Sequence, residues 1–438
     1  MLKLPSAEYT QRRQQLLAQL PVGAVVLIQA AASQIRNGDV EQDYRQNSNF
    51  QYLCGFLESD AVLVLSNHAT GPVSSVFCRS TDELQEIWHG RRLGVEAAPG
   101  ALNIDQAFAI DSLAEKLLEL LDGASQMLYC FSREDTQQLV QHSLQQLRAL
   151  SRQGKQCPTY LADLDPLLDA MRLLKSAAEV AQMQAACDIS VTAHKRAMSV
   201  CKVGMNEYHL AAEVHHQFAV QGSARVAYGS IVAGGDNACI LHYTNNDQPL
   251  QDSDLVLIDA GCELDHYAAD ITRTFPVNGR FTAPQKAIYE LVLAAHQAAL
   301  GVIKPGAPFS AMQDAAVAVM TQGLLDLGLL EGTLENNIDE QSYRQYYMHN
   351  IGHWLGMDVH DVGIYKIDGE SRPLEVGMVT TVEPGLYIDP EDETIDPQWR
   401  GIGVRIEDNI LVTSDGYLNL TQALPVSVAD IEALMASA

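Results

Sequence analysis

The chain lacks any CxxC pair or knuckle-like cysteine spacing, any apolar run approaching a membrane span, and any excess of positive charge. Its eight cysteines, Cys54, Cys78, Cys130, Cys157, Cys187, Cys201, Cys239 and Cys262, are scattered. That scatter argues against thiolate zinc sites and against a disulfide framework. Arg12 and Arg13 come early, but no long apolar stretch with a small-residue cleavage site follows them, so no secretory leader is expected. A net charge of -27, from 55 acidic against 28 basic residues, would repel phosphate backbones and anionic headgroups. The expectation is a soluble, cytoplasmic protein that binds neither nucleic acid nor membrane.

What the chain does contain is apolar surface, 47 % of 438 residues, more than one core usually organises. Up to about residue 170, β-like runs at 24–29, 61–66 and 73–78 alternate with helix-like stretches at 7–20, 111–122 and 134–150, which reads as an α/β domain. Ser176 and Glu179 then form a Ser-x-x-Glu capping box ahead of a long amphipathic helix towards Cys201. The boundary therefore falls just before it, giving domains 1–172 and 173–438. A weak internal echo follows. One long helix ends in Lys202-Val203-Gly204 and a later one in Lys304-Pro305-Gly306, each before another helix. Duplication would explain this, and so would the frequency of Lys and Gly at helix ends.

The run 254–259 is β-rich yet ends in Asp259, and a second strand-like run, 267–275, contains Asp270. If they form a hairpin closing near Leu264-Asp265, the two acids stand opposite each other on one face. Such a pair must hold a proton or bind a cation unless the hairpin is simply exposed. Between 348 and 363, His349, His353 and His360 stand among glycines that permit close backbone approach. Glu383 closes the run 379–383 before Pro384-Gly385. In 401–408, Arg405 and Glu407 share the face opposite Val404 and Ile406. Four carboxylates and an imidazole, without sulfur, suit Mn²⁺, Mg²⁺, Co²⁺ or Zn²⁺. Two divalent ions would balance them, share a water and hold the resulting hydroxide beside a polarised carbonyl.

Asp259, Asp270, His353, Glu383 and Glu407, in this order and these local contexts, closely resemble the signature of the pita-bread metallopeptidases. Tyr44-Arg45-Gln46-Asn47-Ser48-Asn49-Phe50 and Glu86-Ile87-Trp88-His89-Gly90-Arg91-Arg92-Leu93-Gly94 resemble the N-terminal domain of the bacterial aminopeptidase P branch. The resemblance spans nearly the whole chain. It implies an N-terminal α/β domain serving oligomerisation and substrate access. Behind it would stand a catalytic pita-bread domain, a pseudo-symmetric antiparallel sheet flanked by helices. It implies two Mn²⁺ per subunit, with Asp259 on one ion, Asp270 and Glu407 bridging, and His353 and Glu383 on the other.

By the same resemblance Glu383 accepts the proton of the bridging water. His242 and His360 hold the scissile carbonyl, Tyr228, His349 and Arg405 shape a proline pocket, and Trp88 and Asp39 reach a neighbouring active site in a homotetramer. The implied activity is hydrolysis of the N-terminal Xaa-Pro bond of peptides. A prolidase restricted to dipeptides, an inactive pita-bread binding protein and a creatinase-like hydrolase are the alternatives; loss of metal ligands would mark the last two. Val376 stands where proline usually precedes Gly377, and Asn350-Ile351-Gly352 replaces a more usual Gly-Leu-Ser, which bears on substrate preference.

Overall fold

The computed structural model describes residues 4–68 and 71–437. The chain divides into two compact units, Leu4–Met171 and a second that begins at Arg172.

In the first unit six strands make a mixed sheet in the order Gln106–Ala109, Gly71–Cys78, Val62–His68, Ala24–Gln29, Gln126–Tyr129 and Tyr160–Asp163. Alternation in Ala24–Gln29 sends Val25 and Leu27 to one face, where with Val64, Phe77 and Met127 they bury Leu117 and Leu121 of the helix Leu113–Leu121. The run Tyr44 to Phe50 is a staple. Buried Gln46 accepts from the amides of Ala31 and Asn47 (both 2.8 Å) and donates to the carbonyls of Phe56 and Glu58 (both 3.0 Å). Asn47 caps the helix Ser48–Cys54.

The second unit opens with the helix Ala177–Val200, whose N-terminus carries the reciprocal Ser176/Glu179 capping box. The echo read in the sequence extends into hydrogen bonding. The helix Ala177–Val200 is followed by Glu207–Val220, and Ala283–Gly301 by Ser310–Asp326. Ala283–Gly301 has its own box, from Thr282 and Gln285. Gly204 and Gly306 adopt φ of 85° and 84°, open to glycine without a Cβ penalty. The Gly204 amide donates to Leu250, whose amide returns to Met205. The Gly306 amide donates to Leu374, whose amide returns to Ala307. In both halves a strand starts five residues later, at Leu255 and at Val379. These coincidences exceed what common helix-end residues produce, and they make the unit two pseudo-symmetric halves.

Each half contributes an interrupted antiparallel hairpin. In the first, Leu255–Asp259 pairs with Thr272–Pro276, and Cys262–Leu264 with Tyr267–Ala268. The turn is Asp265-His266, both at positive φ (47° and 69°), one residue beyond the expected closure. Asp259 therefore stands opposite Thr272, not Asp270. The two acids are diagonal neighbours on one face, so the shared face holds and the direct opposition does not. In the second hairpin Val382 pairs with Asp408 and Gly385 with Arg405, a register that opposes Glu383 to Glu407. A bridge between Thr272 and Glu407 joins the hairpins (Glu407 amide to Thr272 carbonyl, 3.0 Å).

Candidate metal and active site

Both hairpins are interrupted at their acids, and the interruptions are enforced locally. A Cβ on Gly261 would lie 1.7 Å from the Ala269 carbonyl oxygen, so only glycine lets the strands cross there. In the second hairpin Pro384 has no amide to donate. Neither face of the last strand is exposed: Arg405 and Glu407 are as buried as Val404 and Ile406.

His353 is delivered by a segment outside the hairpins. The amides of Thr381, Leu355 and Glu383 bond the carbonyls of His353 (2.9 Å), Val379 (3.0 Å) and Ile351 (2.8 Å), laying 351–355 along the strand Val379–Val382. Gly352 allows that approach, since a Cβ there would meet the Thr381 carbonyl oxygen at 2.2 Å. The position that departs from the family pattern is thus fitted to this backbone. Val376, by contrast, is exposed and does not line the cavity over the acids.

His353 Nδ1 donates to the Trp354 carbonyl (3.0 Å), which leaves the Nε2 lone pair facing Asp270 and Glu383, each at 3.4 Å. A lone pair aimed at carboxylates requires a proton or a cation between them. Donor atoms of Asp270, His353 and Glu407 all lie within 4.8 Å of one another, the spacing of a shared ion. The electrostatics agree. Burial, aided by Asp270, holds Glu407 well above its ordinary carboxylate range and lifts Glu383 to about 7. Burial alone would lower His353, but Asp270 and Glu383 outweigh it and push it up to about 9. An oxygen-rich, sulfur-free set of this kind fits divalent cations.

Asp259 has partners of its own. Arg405 Nη2 lies 2.6 Å from its Oδ2. The Tyr228 hydroxyl, kept protonated by burial and by both carboxylates, sits between Asp259 (2.5 Å) and Asp270, with its one proton shared between them. Hydroxyls hold the glutamates: Thr272 Oγ1 to Glu407 Oε2 (2.7 Å) and Thr381 Oγ1 to Glu383 Oε1 (3.0 Å). Asn409 Oδ1 accepts from the Asp270 amide (3.1 Å).

A cavity of ≈ 810 Å³ opens over these groups, lined by Tyr228, His242, His349, His360, Arg405 and all five candidate ligands, Asp259, Asp270, His353, Glu383 and Glu407. Arg405 Nη1 donates to the Tyr387 hydroxyl (3.0 Å), and Tyr387 donates to His349 Nε2 (2.8 Å). His349 Nδ1 in turn donates to the Asn350 carbonyl (2.8 Å). Burial, then Arg405, lowers His349 to about 4, so the ring is neutral. The His353 and His360 rings meet edge-on at 4.4 Å. Trp88 and Asp39 belong to the first unit, where both are exposed, Trp88 at 75 %.

Sequence reading missed Tyr387, Thr272, Thr381 and Asn409. Tyr387 could have been found only from the register, which pairs it with Gly403 and so sets it diagonal to Arg405.

Buried, crowded carboxylates with one imidazole, placed where two half-sheets meet under a cavity, define a metal-dependent hydrolase. The chain belongs to metallopeptidase family M24: that family's model matches residues 181–414, and the model of the aminopeptidase P N-terminal domain matches residues 9–129. It is 45 % identical to the Xaa-Pro aminopeptidase of Escherichia coli, over 100 % of this chain and 99 % of that protein. It is 34 % identical to Xaa-Pro aminopeptidase 3 of Homo sapiens, over 99 % and 87 %. Among solved structures it resembles aminopeptidase PepP of Pseudomonas aeruginosa, with a TM-score of 0.98 and 49 % identity over 100 % and 99 % of the two chains. It also resembles E. coli aminopeptidase P with the inhibitor Pro-Leu, with a TM-score of 0.97 and 45 % identity over 99 % of each.

Proposed function

We propose that the chain is a Xaa-Pro aminopeptidase, releasing the N-terminal residue from peptides whose second residue is proline. Full-length similarity to enzymes of that name supports the activity. The observation that carries the site assignment is the convergence of Asp270, His353 and Glu407 donors within 4.8 Å beneath a cavity able to hold a short peptide. Asp259, Asp270, His353, Glu383 and Glu407 would hold two Mn²⁺, with Co²⁺, Zn²⁺ or Mg²⁺ as substitutes. Bound, such ions supply Lewis acidity and a water acidic enough to attack an amide at neutral pH.

The chain's own groups do the rest. Glu383, steadied by Thr381, takes the proton of the attacking water and returns it to the leaving proline nitrogen. His242 and His360, on the cavity wall, donate to the carbonyl oxygen as charge builds on it. Tyr228 keeps Asp259 and Asp270 oriented while shaping the floor of the proline pocket. Arg405, Tyr387 and His349 form a linked wall beside it.

Residues 1–172 serve assembly and substrate access in a homotetramer, with Trp88 and Asp39 contributing at a neighbour's site. Leu84, Ile87 and Trp88, 63 %, 79 % and 75 % exposed on one helix, support such an assembly. Eight free thiols favour a reducing cytoplasm.

The test is release of the first residue from Ala-Pro-Ala, Ala-Pro and Ala-Ala-Ala with Mn²⁺ and with a chelator. Metal-dependent preference for Ala-Pro-Ala is expected. Preference for Ala-Pro would make the chain a prolidase, and inactivity on all three with metal bound would overturn the reading.

A further inference from the structure

The loop 234–248 carries His242 into the cavity, yet His242 is itself exposed, so its position is set by what holds the loop. Asn246 ties the loop to Ser230 and Val232, and the anchor nearest His242 is one buried carboxylate. Glu207, 0 % exposed, is the first residue of the helix Glu207–Val220, where the helix dipole favours negative charge. Its Oε1 accepts from the Gly234 amide (2.8 Å) and Asn237 Nδ2 (2.9 Å). Its Oε2 accepts from the Tyr243 hydroxyl (2.8 Å) and the Gln248 amide (2.9 Å). The Glu207 amide also donates to the Gln248 carbonyl (3.0 Å). Both ends of the loop, its short 3₁₀ turn at Gly235–Cys239 and the residue after His242 are thus gathered on one side chain.

We infer that Glu207 is the positioning residue of His242: it fixes the loop so that the imidazole meets the developing oxyanion. The inference rests on the reading of His242 given above. Only a carboxylate offers acceptors on both oxygens. A glutamine would turn an NH₂ towards two of the four donors and release one side of the loop. The metal-ligand candidates lie on other segments, and Glu207 touches none of their side chains, so metal content is the readout expected to stay nearly unchanged.

The experiment measures kcat, KM and bound metal for the full-length, Mn²⁺-loaded enzyme on Ala-Pro-Ala, in E207Q, H242A and the double variant. E207Q is expected to lower kcat roughly ten- to a hundredfold, with KM and metal content nearly unchanged, as a displaced catalytic group does. In the H242A background the same change should cost less than about twofold, because the group it positions is gone. Equal losses in both backgrounds would overturn the inference, and so would an undiminished kcat in E207Q. If E207Q fails to fold, Tyr243→Phe removes one of the four hydrogen bonds. Its smaller loss must likewise vanish with H242A, and equal losses would overturn the inference. Full kcat in H242A alone would instead remove the reading of His242 itself, a result distinct from additive losses beside an impaired H242A.

Discussion

The two hairpins of the second unit descend from one pattern but spread their charge differently. In the first, Asp259 faces Thr272, and the register opposes Gly261 to Asp270, so the acids are offset along the ribbon. Asp259 there has a guanidinium at 2.6 Å, and the Tyr228 hydroxyl sits between both acids. In the second, Glu383 and Glu407 are directly opposed, and their side-chain partners are threonine hydroxyls and the His353 ring. Burial accordingly lifts Glu383 to about 7 and holds Glu407 well above its ordinary range, so both resist carrying charge without a cation. Burial raises Asp259 too, but Arg405 opposes that rise, so the first hairpin is partly compensated from within the chain. Among the described residues the second has no guanidinium ion pair of its own and relies more on a cation, which Asp270 would share with it.

Removing an acid that touches both hairpins should have the largest effect. Asp270→Ala or Glu407→Ala should lose metal and turnover together, by more than the roughly 10- to 100-fold typical of outer-shell partners. Metal analysis beside kinetics checks this, and near-normal turnover in either variant would sink the two-ion reading. Next comes the hydroxyl that ties the hairpins: Thr272→Val should weaken metal binding by roughly 10- to 100-fold while the fold persists. An unchanged metal titration would show that the glutamates need no such support.

A third effect is pH dependence of metal uptake. In the metal-free chain His353 is pushed up to about 9 and Glu383 to about 7, so protons compete with metal below about 9 and affinity should fall as pH drops from there through 7. For stability the sign runs the other way. A raised carboxylate favours the metal-free fold below 4.5, and that contribution is lost as pH rises through about 7. Melting curves with and without chelator should therefore diverge most above pH 7; parallel curves would contradict the contrast between hairpins. The smallest change is expected at Tyr387→Phe. Losing the hydroxyl between Arg405 and His349 should cost about 1 kcal/mol, roughly a fivefold rise in KM for Ala-Pro-Ala with metal content intact. A fall in bound metal instead would tie Tyr387 to the ions.

Much of this was legible from local pattern. The strand Ala24–Gln29, the Ser176/Glu179 box and the helix Glu134–Ala149 depend on alternation, capping and periodicity, which act within a few residues. Asp259 and Glu383 stood out because each ends an apolar strand with a charge. The register did not. A tight turn at Asp265-His266 in place of Leu264-Asp265 moves one strand by two positions against its partner, and nothing in the alternation distinguishes the two. Glu207 was obscure for a related reason: a charged residue at the start of a helix reads as a surface residue until the fold shows that it is buried.

The sequence by itself determined which side chains could hold a metal, the two-unit order of the chain and the caps at which its long helices begin, because these follow from residue type and short-range spacing. Tertiary structure alone decided that two acids are offset and two opposed, that Tyr387 links Arg405 to His349, and that one buried glutamate gathers the His242 loop. The hydrogen bonds among them join residues 18 to 41 positions apart within one half, and only the folding of each half brings those residues together.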